Sequence, residues 1–389
     1  MNIYLLYTGG TIGSVGTPLS PMQGPQFEAA FQSNVESIIT TQIPGSSISY
    51  DWFHTVLDST NMQPSDWVTI AQKIVSNYAN YDGFLILHGT DTMAFTSSAL
   101  SFLLPGLSKP VFVTGSQLPL FYQDGSNYSL LYNTDALRNV LGAIEFMTFG
   151  IPEVGLYFDD NLYRGNRAVK SNASQFAAFS SPNLSSLGLY GVLPKLNDAL
   201  ILPQPDSAVA LDNNLNAVAQ QLDAVANNIN SQSVIQFPFF PAYYNTNSGD
   251  SLAVSMLTQL QSISPPLKGI VFESFGEGNI PDFPQMQTLL GTFNTQGMIM
   301  IDCTQVYAGD VNYNAYATGA WLRGAGVLSG FDMTAIAALT KLTVLVASNA
   351  SAPLETIKTL LGTNLAGELT LVGLTGHPSI LEINRNFAY

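Results

Sequence analysis

Residues 81–102 read YDGFLILHGTDTMAFTSSALSF. Phe84 to Leu87 is a short apolar run of the kind a strand carries when both its faces are buried. His88-Gly89-Thr90-Asp91-Thr92 follows as a polar step, and from residue 92 to 104 the pattern turns helical. A buried strand that ends in a polar turn and feeds a helix is the repeating unit of a parallel α/β sheet. The unit recurs on both sides of this stretch. Upstream, Ile3 to Tyr7 is an apolar run followed by TGGTIGS and a helical pattern over 26–39; a further helix over 64–78 has Pro64 near its start. Downstream, Val111 to Val113 runs into TGSQLP (114–119) ahead of a helical pattern over 133–146, and Val154 to Phe158 leads toward RGNRAVK (164–170). A second series has strands at Ile270 to Phe272 and Met298 to Ile301, with helices near 315–326 and 333–347. The expected fold is α/β: a larger N-terminal doubly wound, mostly parallel sheet domain and a smaller C-terminal α/β domain.

Between the two series, LPQPDSAVALDNNLNAVAQQLDAVANNINSQS (202–233) is rich in Asn, Gln, Ala and Ser. Within it Leu211, Leu215, Val218, Leu222, Val225 and Ile229 fall on one helical face, which predicts a connecting helix packed on the body. The 389 residues suit two domains. The expected division is 1–205, a linker at 206–232, and 233–389.

Composition excludes several functions. Five Arg and seven Lys against 27 acidic residues give a net charge of -15, with no basic stripe to track a phosphate backbone. Nucleic acid is therefore not an expected partner. The lone Cys303 rules out an internal disulfide, and His54, His88 and His377 show no zinc-ligand spacing. No metal is expected. The start MNIYLLYTGG has no signal-peptide pattern, and the longest mostly apolar stretch (140–158) is interrupted by Glu145, Pro152 and Glu153. A soluble, cytoplasmic protein is the expectation.

Chemistry concentrates where the strands of the first series end. Ligands of open parallel sheets bind beyond the carboxyl ends of the strands, so TGGTIGS, HGTDTM, TGSQLP and RGNRAVK should converge on one site. The loop Thr8-Gly9-Gly10-Thr11-Ile12-Gly13 lacks the spacing of a dinucleotide fingerprint and the Gly-Lys-Ser/Thr of a phosphate loop, so no cofactor is implied. Its paired glycines allow close backbone approach, and it is equally compatible with a plain tight turn. Asp91 either caps the following helix or receives a cationic group of a ligand. His88 fits a satisfied core histidine. Lys170 is either a solvated lysine, with Asp159, Asp160, Arg164 and Arg167 forming local ion pairs around it, or a base that joins Thr90 and Asp91 in a relay.

Taken together, YTGGTIGS, the segment Leu57-Asp58-Ser59-Thr60-Asn61-Met62, the 81–102 stretch, KPVFVTGSQLP, LYRGNRAVK, SFGEGNIP and AYATG closely resemble bacterial L-asparaginases, with the cytoplasmic type I branch nearest. The resemblance implies hydrolysis of L-asparagine to L-aspartate and ammonia through a covalent acyl-enzyme, with L-glutamine as a possible side substrate. It implies Thr11 as nucleophile, with Thr90, Lys170 and Asp91 as its supporting triad. Ser59 and Asp91 would hold the substrate's α-carboxylate and α-ammonium, with Asp58 and Thr60 beside them. Asn279 of SFGEGN would complete the site from a neighbouring copy, which implies homodimers or homotetramers. The chain departs from the family in residues 14–25, where the usual lid tyrosine is absent, and at Glu273, where some relatives carry Arg near an effector site. Alternatives are a non-catalytic amino-acid sensor and the amidase subunit of a tRNA-dependent amidotransferase.

Overall fold

A computed structural model describes residues 1–313 and 317–370. Part of AYATG, His377 and the C-terminal residues from 371 lie outside the described residues. The chain divides into two compact units, the first ending at Ala219 and the second beginning at Gln220. That division falls inside the helix Leu211–Asn228, the segment foreseen as a connecting helix. Of its six apolar positions, Leu211, Val218, Leu222, Val225 and Ile229 are buried. The helix is kinked at Asn214 (φ −124°), whose amide side chain donates to the Ala208 and Ala210 carbonyls.

The first unit is built on one eight-stranded sheet. From edge to edge its strands are Pro194–Leu196, Gly188–Tyr190, Asn161–Arg164, Val154–Phe158, Val111–Thr114, Gly83–Leu87, Asn2–Gly9 and Ser47–Leu57. The last five named are mutually parallel, and the first three are added antiparallel. Gly83–Leu87 is buried over its whole length, which is why its sequence shows no alternation. The helices Pro64–Asn77, Met93–Leu103 and Ala136–Met147 connect these strands.

The expected helix 26–39 is interrupted. Helices Gly24–Phe31 and Ser37–Gln42 flank a π-helical turn at Gln32–Glu36. There the Ser33 hydroxyl donates to the Ala29 carbonyl and the Asn34 amide to the Ala30 carbonyl, so side chains compete for the acceptors the regular ladder uses.

The second unit holds a four-stranded, all-parallel sheet, ordered Ser233–Pro238, Leu267–Ser274, Ile299–Thr304, Val327–Ser329. Helices Leu252–Gln259, Pro284–Thr295, Ala317–Gly324, Ala335–Ser348 and Leu354–Leu361 surround it. The expected larger and smaller α/β units are thus both present. Among the described residues no helix is long and apolar enough to cross a membrane.

Candidate active site

Three strand-end turns of the first unit are packed so tightly that only glycine fits between them. Gly9 (φ 120°) and Gly10 (φ 85°) turn the chain off the strand Asn2–Gly9 in the left-handed region. A Cβ on Gly9 would overlap the Leu57 backbone, and one on Gly10 would overlap Gly89. The Gly10 amide donates to the Leu57 carbonyl at 2.9 Å. Thr11 then opens the single 3₁₀ turn Thr11–Gly13, which the Ser14 hydroxyl ties back to the Gly10 carbonyl at 2.9 Å. Thr11 therefore sits on a turn seated directly against the HGTDT segment.

The second turn carries Asp58, Ser59 and Thr60. Asp58 Oδ1 accepts from the Thr60 amide and hydroxyl, both at 3.0 Å, and so caps the turn Ser59–Asn61. Ser59 is buried, whereas Asp58 and Thr60 are exposed. Asp58 is occupied within its own turn, which makes it a supporting group. Gly89 faces this turn, and the Thr92 hydroxyl donates to the Ser59 carbonyl at 2.7 Å.

On the third turn the open alternatives resolve. The helix Met93–Leu103 has no side-chain cap, and Asp91 instead accepts from Lys170 Nζ at 2.6 Å. The same Nζ donates to Thr90 Oγ1 at 2.9 Å. Lys170 reaches them from a two-residue strand, Val169–Lys170, across 80 positions of sequence. Its side chain is 21% exposed and Asp91's 52%, so the pair opens to solvent on the carboxylate side. Lys170 is accordingly not a free surface lysine. Of the neighbours expected to pair locally, Arg164 is buried against Glu153 at 2.5 Å, and Asp160 pairs with Arg138. Strand alternation and the left-handed Asp159–Asp160 turn (φ 45° and 66°) aim these neighbours at partners elsewhere.

His88 is fully buried, with Nδ1 2.7 Å from the Gly89 carbonyl and Nε2 2.9 Å from Thr96 Oγ1. Burial pushes its pKa down to about 4. A neutral ring accounts for both contacts, as the core-histidine expectation required. Among the described residues no group of three or more His, Cys, Asp or Glu could hold a metal ion. Asn279 lies in the second unit, on a turn closed by its bridge with Phe275.

Thr11, Ser59, Thr90 and Asp91 thus occupy interlocked turns at the carboxyl ends of the parallel strands, and Lys170 reaches Thr90 and Asp91 from a separate two-residue strand. Comparison with known proteins gives this cluster a context. The family model "Asparaginase, N-terminal" matches residues 2–200, and "Glutaminase/Asparaginase C-terminal domain" matches 255–361. The chain belongs to the asparaginase family. L-asparaginase 1 of Escherichia coli strain K12 is 35% identical, over 95% of this chain and 98% of that one. The mouse 60 kDa lysophospholipase is 37% identical over 94% of this chain, which spans 62% of that longer protein. Among solved structures, L-asparaginase I of Vibrio cholerae superposes with a TM-score of 0.77 at 35% identity, covering 95% of this chain and 99% of that one. As an asparaginase-family member the chain is an amidohydrolase.

One supporting group of this asparaginase fold was passed over in the sequence. Asp135 accepts from the Gln117 amide at 2.9 Å and the Leu118 amide at 3.0 Å, pinning the TGSQLP turn. Its signal was an Asp in the first turn of the helical pattern over 133–146, where an acid is ordinarily read as serving the helix start. A further consequence concerns Gly89, where a Cβ would stand 2.6 Å from Ser59 Oγ and 3.2 Å from Gly10 Cα. Gly89→Ala should displace Ser59 and raise KM for substrate about tenfold or more, checked by steady-state kinetics.

Proposed function

We propose that the protein hydrolyses L-asparagine to L-aspartate and ammonia, with Thr11 as the nucleophile. The supporting observation is Lys170 Nζ held at 2.9 Å from Thr90 Oγ1 and 2.6 Å from Asp91 Oδ1, on turns locked against the one that carries Thr11. With Lys170 neutral, Thr90 can donate to Nζ and accept the proton that Thr11 loses as its oxygen attacks the carboxamide carbon. With Lys170 protonated, Nζ donates to Thr90, and the Thr90 proton is directed to the departing nitrogen. Asp91 orients Nζ in both states, the logic of a nucleophile, base and orienting group. Collapse of the tetrahedral intermediate releases ammonia and leaves an ester on Thr11. Water then attacks that ester, returning L-aspartate and the free hydroxyl.

The Gly10 amide is spent on Leu57 and the Gly13 amide on the Gly10 carbonyl. The developing oxyanion therefore falls to the Thr11 and Ile12 amides or to Thr90. Ser59 receives the substrate α-carboxylate, with Thr60 beside it on the turn that Asp58 caps, and the exposed oxygen side of Asp91 receives the α-ammonium. Asn279 contributes from the second unit of a neighbouring copy, in a cytoplasmic homodimer or homotetramer. The proposed division is a catalytic domain over 1–205, a linker at 206–232 and a C-terminal domain over 233–389. L-glutamine differs by one methylene, worth about 1–3 kcal/mol in discrimination, and is expected as the weaker substrate.

Lys170→Met should lower kcat by roughly 10²- to 10⁴-fold, the range of one positioned proton-transfer group. Ammonia release from both amides measures it. Unaltered turnover in that variant would remove Lys170 from the reaction.

A further inference from the structure

The second unit contains a buried acid that this reaction leaves unused. Asp302 is on the strand Ile299–Thr304, in register with Phe272 on one side and Ser329 on the other, and is fully buried. Two hydroxyls flank its carboxyl group. Tyr313 lies 3.3 Å from Oδ2, but also 3.2 Å from the Leu328 carbonyl. Ser274 is within hydrogen-bonding reach of the carboxyl and 3.2 Å from the Cys303 carbonyl. Each hydroxyl therefore has one proton and two acceptors. The other carboxyl oxygen, Oδ1, has no partner among the described residues.

An ionised carboxylate only accepts, so it would draw both hydroxyls away from their carbonyls and leave a bare charged oxygen in the core. A carboxylic acid removes the conflict: its own proton goes to Tyr313 Oη, and Tyr313 donates to Leu328. The other titratable groups here are Cys303 on the same strand, whose thiol Asp302 and Glu273 push further up, and Glu273 on the next. Burial raises the pKa of each. Arg323, on the helix Ala317–Gly324, acts on Tyr313.

Above this acid lies the turn that ends in Asn279. Phe275 and Asn279 exchange both backbone hydrogen bonds, at 3.0 and 2.8 Å. The Gly276 carbonyl accepts from the Thr304 hydroxyl at 2.6 Å, and that of Glu277 from the Asn312 amide at 2.9 Å. Gly278 (φ 107°) brings the turn so close that a Cβ there would stand 3.3 Å from Asp302 Oδ2. The same Cβ would stand 2.7 Å from Val311 Cγ1 and 3.2 Å from Tyr313 Cε1, so the turn packs over the cluster that encloses the carboxyl group.

We propose that Asp302 is a positioning residue for Asn279: as a neutral acid it holds the 275–279 turn in the geometry that presents Asn279, and on ionising it releases that turn. This rests on the assignment of Asn279 to substrate binding. Burial pushes the Asp302 carboxyl up to about 7, against the hydrogen bonds from Ser274 and Tyr313, so the release falls in the neutral range. Because the folded-state value is raised, the contribution to stability is complete in acid and is lost as the pH climbs through 7.

The test is KM for L-asparagine between pH 6 and 9, measured on the wild-type protein, Asp302→Asn and Asn279→Ala. Wild-type KM should rise roughly tenfold or more across this range, since apparent affinity scales with the competent fraction. Asp302→Asn cannot ionise and should hold KM near the wild-type pH 6 value throughout. Titration of the substrate's own amine affects both proteins alike. If Asn279→Ala raises KM but Asp302→Asn follows the wild-type pH profile, the role of Asp302 is overturned while that of Asn279 stands. If Asn279→Ala leaves KM unchanged, the assignment beneath it is wrong. Should Asp302→Asn fail to fold, hydrogen-exchange protection of the Gly276, Gly278 and Asn279 amides in the wild-type protein decides. A fall in protection above pH 7 supports the release, and constant protection overturns it.

Discussion

Thr11→Ala is expected to abolish ammonia release from L-asparagine, with a loss on the order of 10⁴- to 10⁶-fold in kcat, the scale seen when a covalent nucleophile is removed from its triad. The substitution deletes a hydroxyl and a methyl group from a half-buried turn whose backbone is fixed by other atoms. Gly10 is tied to Leu57, Gly13 to Gly10, and Ser14 back to Gly10. The variant should therefore fold and still bind substrate, with thermal stability within about 1 kcal/mol of the parent. That separation makes the experiment decisive: activity vanishes while calorimetry still detects L-asparagine. A Thr11→Ala protein that retains turnover would require another nucleophile. With the wild-type protein, rapid quenching during turnover should trap an aspartyl ester on the peptide containing Thr11, and the same mass increment on Thr90 would exchange the roles of the two threonines.

The parallel core of the fold was legible because its strands are buried on both faces. Phe84–Leu87 and Val154–Phe158 are short uninterrupted apolar runs bounded by turn residues, as strands of a sheet covered by helices on both sides are. Ser47–Leu57 escaped notice because it is an edge strand. SISYDWFHTVL mixes polar and apolar residues, and only Phe53 along it is buried. The antiparallel extension Asn161–Arg164, Gly188–Tyr190 and Pro194–Leu196 was missed for a related reason. Strands of three or four residues carrying Asn, Gly or Pro have too few positions to display a period of two. At the site, the residue types and their strand-end placement were readable, since topology alone brings such turns together. The choice between capping and ion pairing for Asp91 was not, because Lys170 is 79 positions away and its approach depends on a two-residue strand.

Lys341→Met is expected to destabilise the second unit by about 3–5 kcal/mol, the cost of leaving a buried charge without its partner. Lys341 lies on the helix Ala335–Ser348 and Glu368 follows the helix Leu354–Leu361; both are fully buried, with Nζ 2.6 Å from Oε1. The three ammonium protons have three acceptors, since Nζ also donates to the Leu361 and Thr363 carbonyls at 2.8 and 2.6 Å. Glu368 accepts the Leu365 and Ala366 amides at 2.9 and 2.7 Å. Burial by itself would push the Glu368 carboxyl up, yet the Lys341 charge and these amides hold it below the usual carboxylate range. Methionine preserves the length of the side chain but strands one carboxylate and two carbonyls, so chemical denaturation should show the loss directly. Lys341→Met combined with Glu368→Leu removes both charges, and it should recover part of that stability, because much of the single-variant cost is the unpaired Glu368 and not the worth of the pair. Equal losses in the single and double variants would place the cost in the stranded Leu361 and Thr363 carbonyls instead. Those carbonyls close the segment after Leu354–Leu361, so Nζ would then act as a cap for the end of that helix more than as the partner of an acid.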